Sequence, residues 1–189
     1  MKQITPVTII NGQMATPDGI VECGVRLADG LIEAVGNVAT QDGDEVVDAR
    51  GQLIAPGLVD LGVFAIDKPA FHFGGITRAA LMPDQSPPLD LPSRVSYIAK
   101  SGKPDLWVHP LAAATRELAG RELAEIGLMK EAGARAVATG RRWIADSGAM
   151  LRLLQYAAML DMVVVTHSED SGLSGDAVAT AGEMATRLG

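Results

Sequence analysis

Three histidines and one cysteine are the side chains in this sequence that most readily hold a transition metal: His72, His109, His167 and Cys23. Each is isolated in the sequence. His167 alone is followed closely by carboxylates, Glu169 and Asp170, so an imidazole and an acid there could share a metal ion or a proton. One imidazole does not hold zinc, which takes three or four protein ligands. Any metal site therefore depends on the fold bringing distant residues together.

Other chemistries find little support. A single cysteine cannot form an intrachain disulfide, which favours a reducing compartment. Net charge is −7, and no cluster of lysine and arginine indicates nucleic acid or an anionic membrane as a partner. Neither a secretory leader nor an apolar run long enough to span a bilayer is evident. We therefore expect a soluble, cytoplasmic protein with no nucleic-acid or membrane partner.

The elements that must position these residues fall into two predicted domains. Residues 1–55 carry short β-rich runs separated by turn signals such as Asn11-Gly12 and Asp29-Gly30, which predict hairpins. This part is predicted to be a small antiparallel, β-sandwich-like module.

From residue 56 to 189, short apolar strands alternate with helical patterns, which is typical of a parallel sheet. The predicted strands are 58–63, 76–82, 106–108, 134–138 and 162–166, and the predicted helices are 92–100, 121–132, 147–160 and 176–188. Ser147 is the expected cap of the third helix. The fold class is α/β, a partial (β/α) TIM-type barrel. A whole barrel takes about 250 residues, so we expect this sheet to be completed by more chain or by another subunit.

Several strings along the chain resemble the dihydroorotase family of the amidohydrolase superfamily, over its N-terminal portion. They are Ala55-Pro56-Gly57-Leu58-Val59-Asp60, Gly74-Gly75-Ile76-Thr77 with Met82-Pro83, Asp146-Ser147-Gly148-Ala149-Met150, Thr166-His167-Ser168-Glu169-Asp170 and the segment 182–189. The resemblance implies a β module beside a zinc-dependent barrel. It also implies hydrolysis of a cyclic amide in pyrimidine biosynthesis, with zinc activating water.

The same resemblance shows which site residues are replaced. The family's first His-x-His falls on Gly62 and Phe64, within Leu61-Gly62-Val63-Phe64, and its bridging carboxylate falls in Thr139-Gly140-Arg141. His167 matches the one metal ligand that remains; alternatively it is a histidine at the barrel mouth bonded to a neighbour such as Glu169. Asp84 stands where the family has a substrate-binding asparagine, or else caps a turn before Ser86-Pro87.

The remaining histidines and the first connection carry further expectations. His109, before Pro110, is expected to be structural, and His72, between Phe71 and Phe73, is expected to lie in a packed segment rather than to bind metal. The connection 61–73 is short, so its outer helix is predicted to be deleted, leaving apolar strand surface for Phe71, Phe73 or a partner to cover.

Three hypotheses for function follow. The first is a catalytically inactive dihydroorotase-like pseudoenzyme with a structural or regulatory role toward aspartate transcarbamoylase, in an oligomer and without a cofactor. The second is an active zinc-dependent dihydroorotase, or related cyclic amidohydrolase, with ligands from elsewhere. The third is a fragment with no function of its own. Zinc content and co-purification discriminate among them.

Overall fold

The computed structural model describes residues 5–103, 106–178 and 181–188. The chain forms two compact units, residues 1–56 and 57–189. Their architecture confirms the predicted fold class: a small β-sheet module, and a curled parallel sheet with helices that corresponds to part of a (β/α) barrel. Within the described residues, no helix is long and apolar enough to cross a membrane.

The first unit is a five-stranded sheet in the order β3-β2-β1-β4, with β5 also paired to β1. Its strands are β1 (Val7–Thr16), β2 (Gly19–Ala28), β3 (Leu31–Gly36), β4 (Glu45–Asp48) and β5 (Leu53–Ile54). The β1–β2 and β2–β3 pairs are antiparallel, as predicted, and Asp29 and Gly30 form the second turn with positive φ angles. The sheet is not purely antiparallel, because β4 and β5 run parallel to β1.

Asn11-Gly12, which predicted a hairpin, instead forms an irregularity inside β1. The pairing of β1 with β2 shifts register between Ile9 and Gly12, and Asn11 has a φ of 56°. An Asn-Gly pair tolerates such a bulge for the reason that it tolerates a turn. A Cβ on Gly12 would lie 2.2 Å from the side chain of Ile54, so the glycine also permits close packing against β5.

A buried ion pair closes this sheet against the loop that follows β3. Asp44 accepts hydrogen bonds from Thr8 Oγ1 at 2.6 Å and from Arg26 Nε at 2.9 Å, and Arg26 also pairs with Glu33. The side chains of Arg26 and Asp44 are 9% and 1% exposed. Hydrogen bonds from Arg26 and Thr8 favour the charged carboxylate and hold the pKa of Asp44 well below its usual range.

The second unit is a parallel sheet whose strands lie in chain order, from β6 to β10. They are β6 (Leu58–Val63), β7 (Ile76–Leu81), β8 (Trp107–Ala113), β9 (Ala136–Ala138) and β10 (Val164–Val165). The connecting helices are α1 (Lys68–Phe73), α2 (Pro92–Ser101), α3 (Ile126–Glu131), α4 (Ser147–Met159), α5 (Ser171–Ser174) and α6 (Glu183–Leu188), with a 3₁₀ turn at Arg116–Leu118. Five parallel strands in sequential order are part of a barrel rather than a closed one.

The core of this unit lies between the sheet and helices α2, α3 and α4. Its fully buried side chains include Leu81, Val95, Ile126, Met129, Val137 and Leu153. Helix α4 presents Ala149, Leu153 and Ala157 to this core at helical spacing. Its cap is Asp146, whose carboxylate accepts from the amides of Gly148 and Ala149, and not Ser147 as predicted.

The predicted deletion of the first outer helix was wrong, because α1 occupies the connection after β6. Asp67 caps α1 by accepting from the amide of Ala70, and Pro69 lies in the first turn, where its missing N–H is not needed. The proline therefore helps to start a short helix. Phe71 packs against the core, but Phe73 is 96% exposed and His72 is exposed, so the segment is packed on only one side.

The predicted helix 121–132 begins five residues late. Residues 122–124 instead pair with 114–116, through Arg116 N to Glu122 O and Ala124 N to Ala114 O. This backbone pairing holds the segment extended and leaves only Ile126–Glu131 helical. The predicted helix 176–188 likewise starts at Glu183; part of the predicted range, 179–180, lies outside the described residues.

Candidate functional site at the C-terminal edge of the parallel sheet

All the predicted site positions on strands β6, β7, β9 and β10 lie where those strands end. Phe64 follows β6, Asp84 lies shortly after β7, the segment 139–141 follows β9, and His167 lies shortly after β10. Ligands of parallel-sheet proteins bind at this edge, because the loops that follow the strands converge there. The site of interest is therefore this edge, which we call the strand-end site.

Phe64 and Arg141 make direct contact in the strand-end site. The guanidinium carbon of Arg141 lies 3.9 Å from the centroid of the Phe64 ring, within the range of a cation–π interaction. The strands that precede them, β6 and β9, are separated in the sheet by β7 and β8. The curl of the sheet brings the two strand ends together.

Asp84 fixes the backbone beside Arg141. Its Oδ1 accepts a hydrogen bond of 2.9 Å from the amide of Arg141. The preceding residue, Gly140, has a φ of +72°, and a Cβ there would lie 2.8 Å from Asp84 Oδ1. The carboxylate therefore lies against the chain after β9, with its Oδ2 buried and unpaired among the described residues.

A third contact links the ends of β6 and β7. The side-chain amide of Gln85 donates to the carbonyl oxygens of Phe64 at 3.1 Å and Met82 at 3.0 Å. The amide of Met82 in turn donates to the carbonyl of Val63 at 2.8 Å. Together with the contacts of Asp84 and Arg141, these bonds close a circuit through the ends of β6, β7 and β9.

His167 lies at the end of β10 and is bound to its own segment. Its Nε2 lies 2.8 Å from Glu169 Oε2, the neighbour expected from the sequence, and its backbone amide donates to Thr139 Oγ1 at 3.1 Å. The hydrogen bond with His167 lowers the pKa of Glu169 by favouring the carboxylate. Both side chains are about half exposed, at 42% and 53%.

The other histidines lie away from the strand-end site. His72 is on α1, and His109 is in the middle of β8, where it is half-buried. Desolvation lowers the pKa of His109, and the positive charges of Arg135, Arg78 and Lys103 lower it further. His109 lies within β8, and the structural role predicted for it from the sequence stays a prediction.

The residues of the strand-end site do not fit zinc. Among the described residues, no three side chains of histidine, cysteine, aspartate or glutamate are grouped so as to hold a metal ion. Gly62 and Phe64 offer no donor atom, and a guanidinium lies on the Phe64 ring where a metal would need electron-pair donors. His167 remains a single potential ligand.

The sequence does not predict the contact of Arg141 with Phe64. Arg141 and Arg142 follow the same strand and look alike in the sequence. In the structure Gly140 has a positive φ, and the guanidinium of Arg141, the next residue, lies over the ring. The role of Gln85 also went unrecognised, since a lone glutamine after Met82-Pro83 carries no signal.

Solved structures identify the class of fold. An L-hydantoinase from Arthrobacter aurescens superposes with a TM-score of 0.73 at 22% identity, covering 88% of this chain and 41% of that one. A crystal structure of a dihydroorotase superposes with a TM-score of 0.61 at 12% identity, over 88% of this chain and 52% of that one. The chain therefore shares its fold with part of the hydantoinase and dihydroorotase structures.

Sequence comparison then gives the family. The dihydro-orotase-like family model matches residues 51–189. A dihydroorotase of Pelotomaculum thermopropionicum is 40% identical over 184 residues, which cover 90% of this chain and 43% of that protein. One of Syntrophotalea carbinolica is 37% identical over 203 residues, covering 97% and 47%. The chain belongs to the dihydroorotase-like family, and it spans less than half the length of these relatives.

Proposed function

We propose that this chain is a non-catalytic dihydroorotase-like protein of pyrimidine biosynthesis, with a structural or regulatory role toward aspartate transcarbamoylase. The contact between Phe64 and Arg141 is the observation that carries the proposal. It puts an aromatic ring and a fixed positive charge where hydrolysis of a cyclic amide needs imidazoles and a divalent cation. Relatives named dihydroorotase supply the pathway, and the family resemblance supplies the partner.

The position that binds substrate in the family is also changed, in a way that disfavours substrate binding. Asp84 stands at the position of the family's substrate-binding asparagine, and its Oδ1 is engaged by the amide of Arg141. A carboxylate repels an anionic substrate such as dihydroorotate, whereas a neutral amide donates to it. The change therefore removes a contact to substrate and replaces it with a contact that holds the fold.

Exposed apolar strand surface supports a role in assembly. Strands β6 and β10 are the two edges of the parallel sheet, and neither has a second neighbour among the described residues. Leu58 and Leu61 on β6 are 60% and 76% exposed, and Val163 beside β10 is 69% exposed. Open edges and apolar surface of this kind are covered in stable proteins by further chain or by a partner.

The decisive experiment measures hydrolysis and partnership on the same preparation. The purified chain is assayed for dihydroorotate turnover with and without added zinc, and its bound zinc is measured by mass spectrometry. Aspartate transcarbamoylase from the same cells is then assayed alone and with the chain, and the complex is sized by light scattering. We expect no turnover, no stoichiometric zinc, and a complex that stabilises or activates the transcarbamoylase.

The alternative functions give different results. Stoichiometric zinc with turnover of dihydroorotate would show an active enzyme that takes ligands from outside the described residues, with His167 as the retained imidazole. A chain that neither turns over dihydroorotate nor associates with the transcarbamoylase would favour a fragment without a function of its own. The variants Leu58→Lys and Leu61→Lys should weaken the complex, whereas the substitution of exposed Phe73 by lysine, on α1, serves as the matched control.

A further inference from the structure

We infer that Arg141 is a built-in cation that replaces the metal ion of the family and makes the strand-end site independent of metal. Its guanidinium, stacked on Phe64, closes a circuit of contacts that holds the ends of β6, β7 and β9 together. The inference deepens the proposed function by naming what stands in for the metal. Its own readouts are the stability and spectrum of the chain, which do not depend on the partner.

A bound metal in a barrel of this kind has a structural effect besides its chemistry. Ligands from several strand ends that share one ion are tied together, so metal binding contributes to folding. In this chain, protein groups tie together the ends of β6, β7 and β9. Gln85 bonds the end of β6 to that of β7, Asp84 bonds the end of β7 to the chain after β9, and Arg141 returns from there to Phe64.

Local geometry selects Arg141 for this position. Gly140 adopts a φ of +72°, a conformation that residues with a side chain rarely take, and it lies against the Asp84 carboxylate. The Arg141 side chain follows this turn and lies over the Phe64 ring at the end of β6. The segment 139–141 thus uses its backbone to hold Asp84 and its side chain to hold Phe64.

The positive charge also has a consequence for metals. The guanidinium carries a positive charge, so it repels a divalent cation. Restoring the histidines alone would therefore not restore zinc binding. Both the missing ligands and the resident charge must be changed.

The first test compares Arg141→Gln and Arg141→Lys with the matched control Arg142→Gln. A cation–π contact at an exposed site is modest, so Arg141→Gln should lower the thermal midpoint by about 1–4 °C. Arg141→Lys should lose less, and Arg142→Gln should change nothing. Stacking should also shift the Arg141 side-chain protons upfield in the NMR spectrum, and Phe64→Leu should abolish that shift. An equal effect of the two glutamine variants, or an unshifted Arg141 signal, would overturn the inference.

The second test asks for metal directly. The thermal midpoint of the wild-type chain should be the same in EDTA and in equimolar zinc. The variant Gly62→His, which keeps Phe64 and the guanidinium stacked on it, should bind zinc by calorimetry at least about tenfold more weakly than the same substitution combined with Arg141→Gln. Loss of wild-type stability in EDTA contradicts the inference, as does equal zinc affinity in the two variants. A catalytically inactive chain that fails these tests would leave the proposed function standing without the substitute cation.

Discussion

Gly140→Ala tests the strand-end site at its tightest point. A φ of +72° costs a residue with a Cβ about 1–2 kcal/mol. The new Cβ would also lie 2.8 Å from Asp84 Oδ1 and 3.0 Å from Oδ2, too close for either to stay. Displacing the carboxylate sacrifices its bond to the Arg141 amide, a charged hydrogen bond contributing about 1.5–3 kcal/mol where it is buried.

Because Asp84 is only partly buried, we expect a total loss of about 2–4 kcal/mol in the free energy of unfolding. Urea denaturation followed by circular dichroism measures it. The control is Gly62→Ala, at the end of β6, where φ is not positive and no atom lies within 4 Å of the position that a Cβ would take; it should change stability by less than about 0.5 kcal/mol.

A double-mutant cycle separates the two causes. In an Asp84→Ala background the clash and the hydrogen bond are already gone, so adding Gly140→Ala should cost only the conformational part, about 1–2 kcal/mol. An equal cost in both backgrounds would show that Asp84 does not contact Gly140. A neutral Gly140→Ala variant would refute the placement of the whole segment.

Three further predictions concern Asp44 in the first unit, Leu153 in the core of the second unit and His109 on β8. The pKa of Asp44 is lowered in the folded state, so its contribution to stability is present above about pH 4, the pKa of the unfolded state, and is lost as the pH falls. Between pH 6 and pH 3 the thermal midpoint should therefore fall more steeply with decreasing pH for the wild type than for Asp44→Asn. Leu153→Ala should cost about 2–5 kcal/mol in urea melts, since the side chain is fully buried. The imidazole of His109 should titrate by NMR below about 6.5, and Arg135→Gln should raise its pKa by removing a positive charge.

Each of these three predictions has a result that would contradict it. Parallel pH profiles for wild type and Asp44→Asn would show that Arg26 and Thr8 do not favour the charged carboxylate. Leu154 is 47% exposed on the same helix, so Leu154→Ala is the matched control. Equal losses of unfolding free energy at positions 153 and 154 would show that α4 does not present Leu153 to the core. A titration of His109 that Arg135→Gln leaves unchanged would remove the electrostatic explanation.

Much of the fold follows from local pattern. Strand β6 has the predicted bounds, and α2 and α4 end within a residue of theirs, because alternating or helical apolar spacing reports which face is buried. The errors came where one signal has two structural uses. The short connection 61–73 predicts no helix but holds α1, and Asn11-Gly12 predicts a turn but forms a bulge. The segment 121–125 has helical composition, but pairing with 114–116 overrides it.

For the strand-end site, the sequence alone determined which side chains stand at the strand ends, because the apolar pattern predicts where each strand ends. The family resemblance then says which ligand the family has at each of these positions. The sequence therefore predicts that Gly62, Phe64 and the segment 139–141 stand where the resemblance places metal ligands. Only the tertiary structure decided what those replacements do. The end of β6 meets the chain after β9 across two intervening strands, and there Arg141, next to a glycine of positive φ, stacks on Phe64. Contacts between residues so distant in sequence depend on the curled geometry of the sheet, which no local pattern encodes.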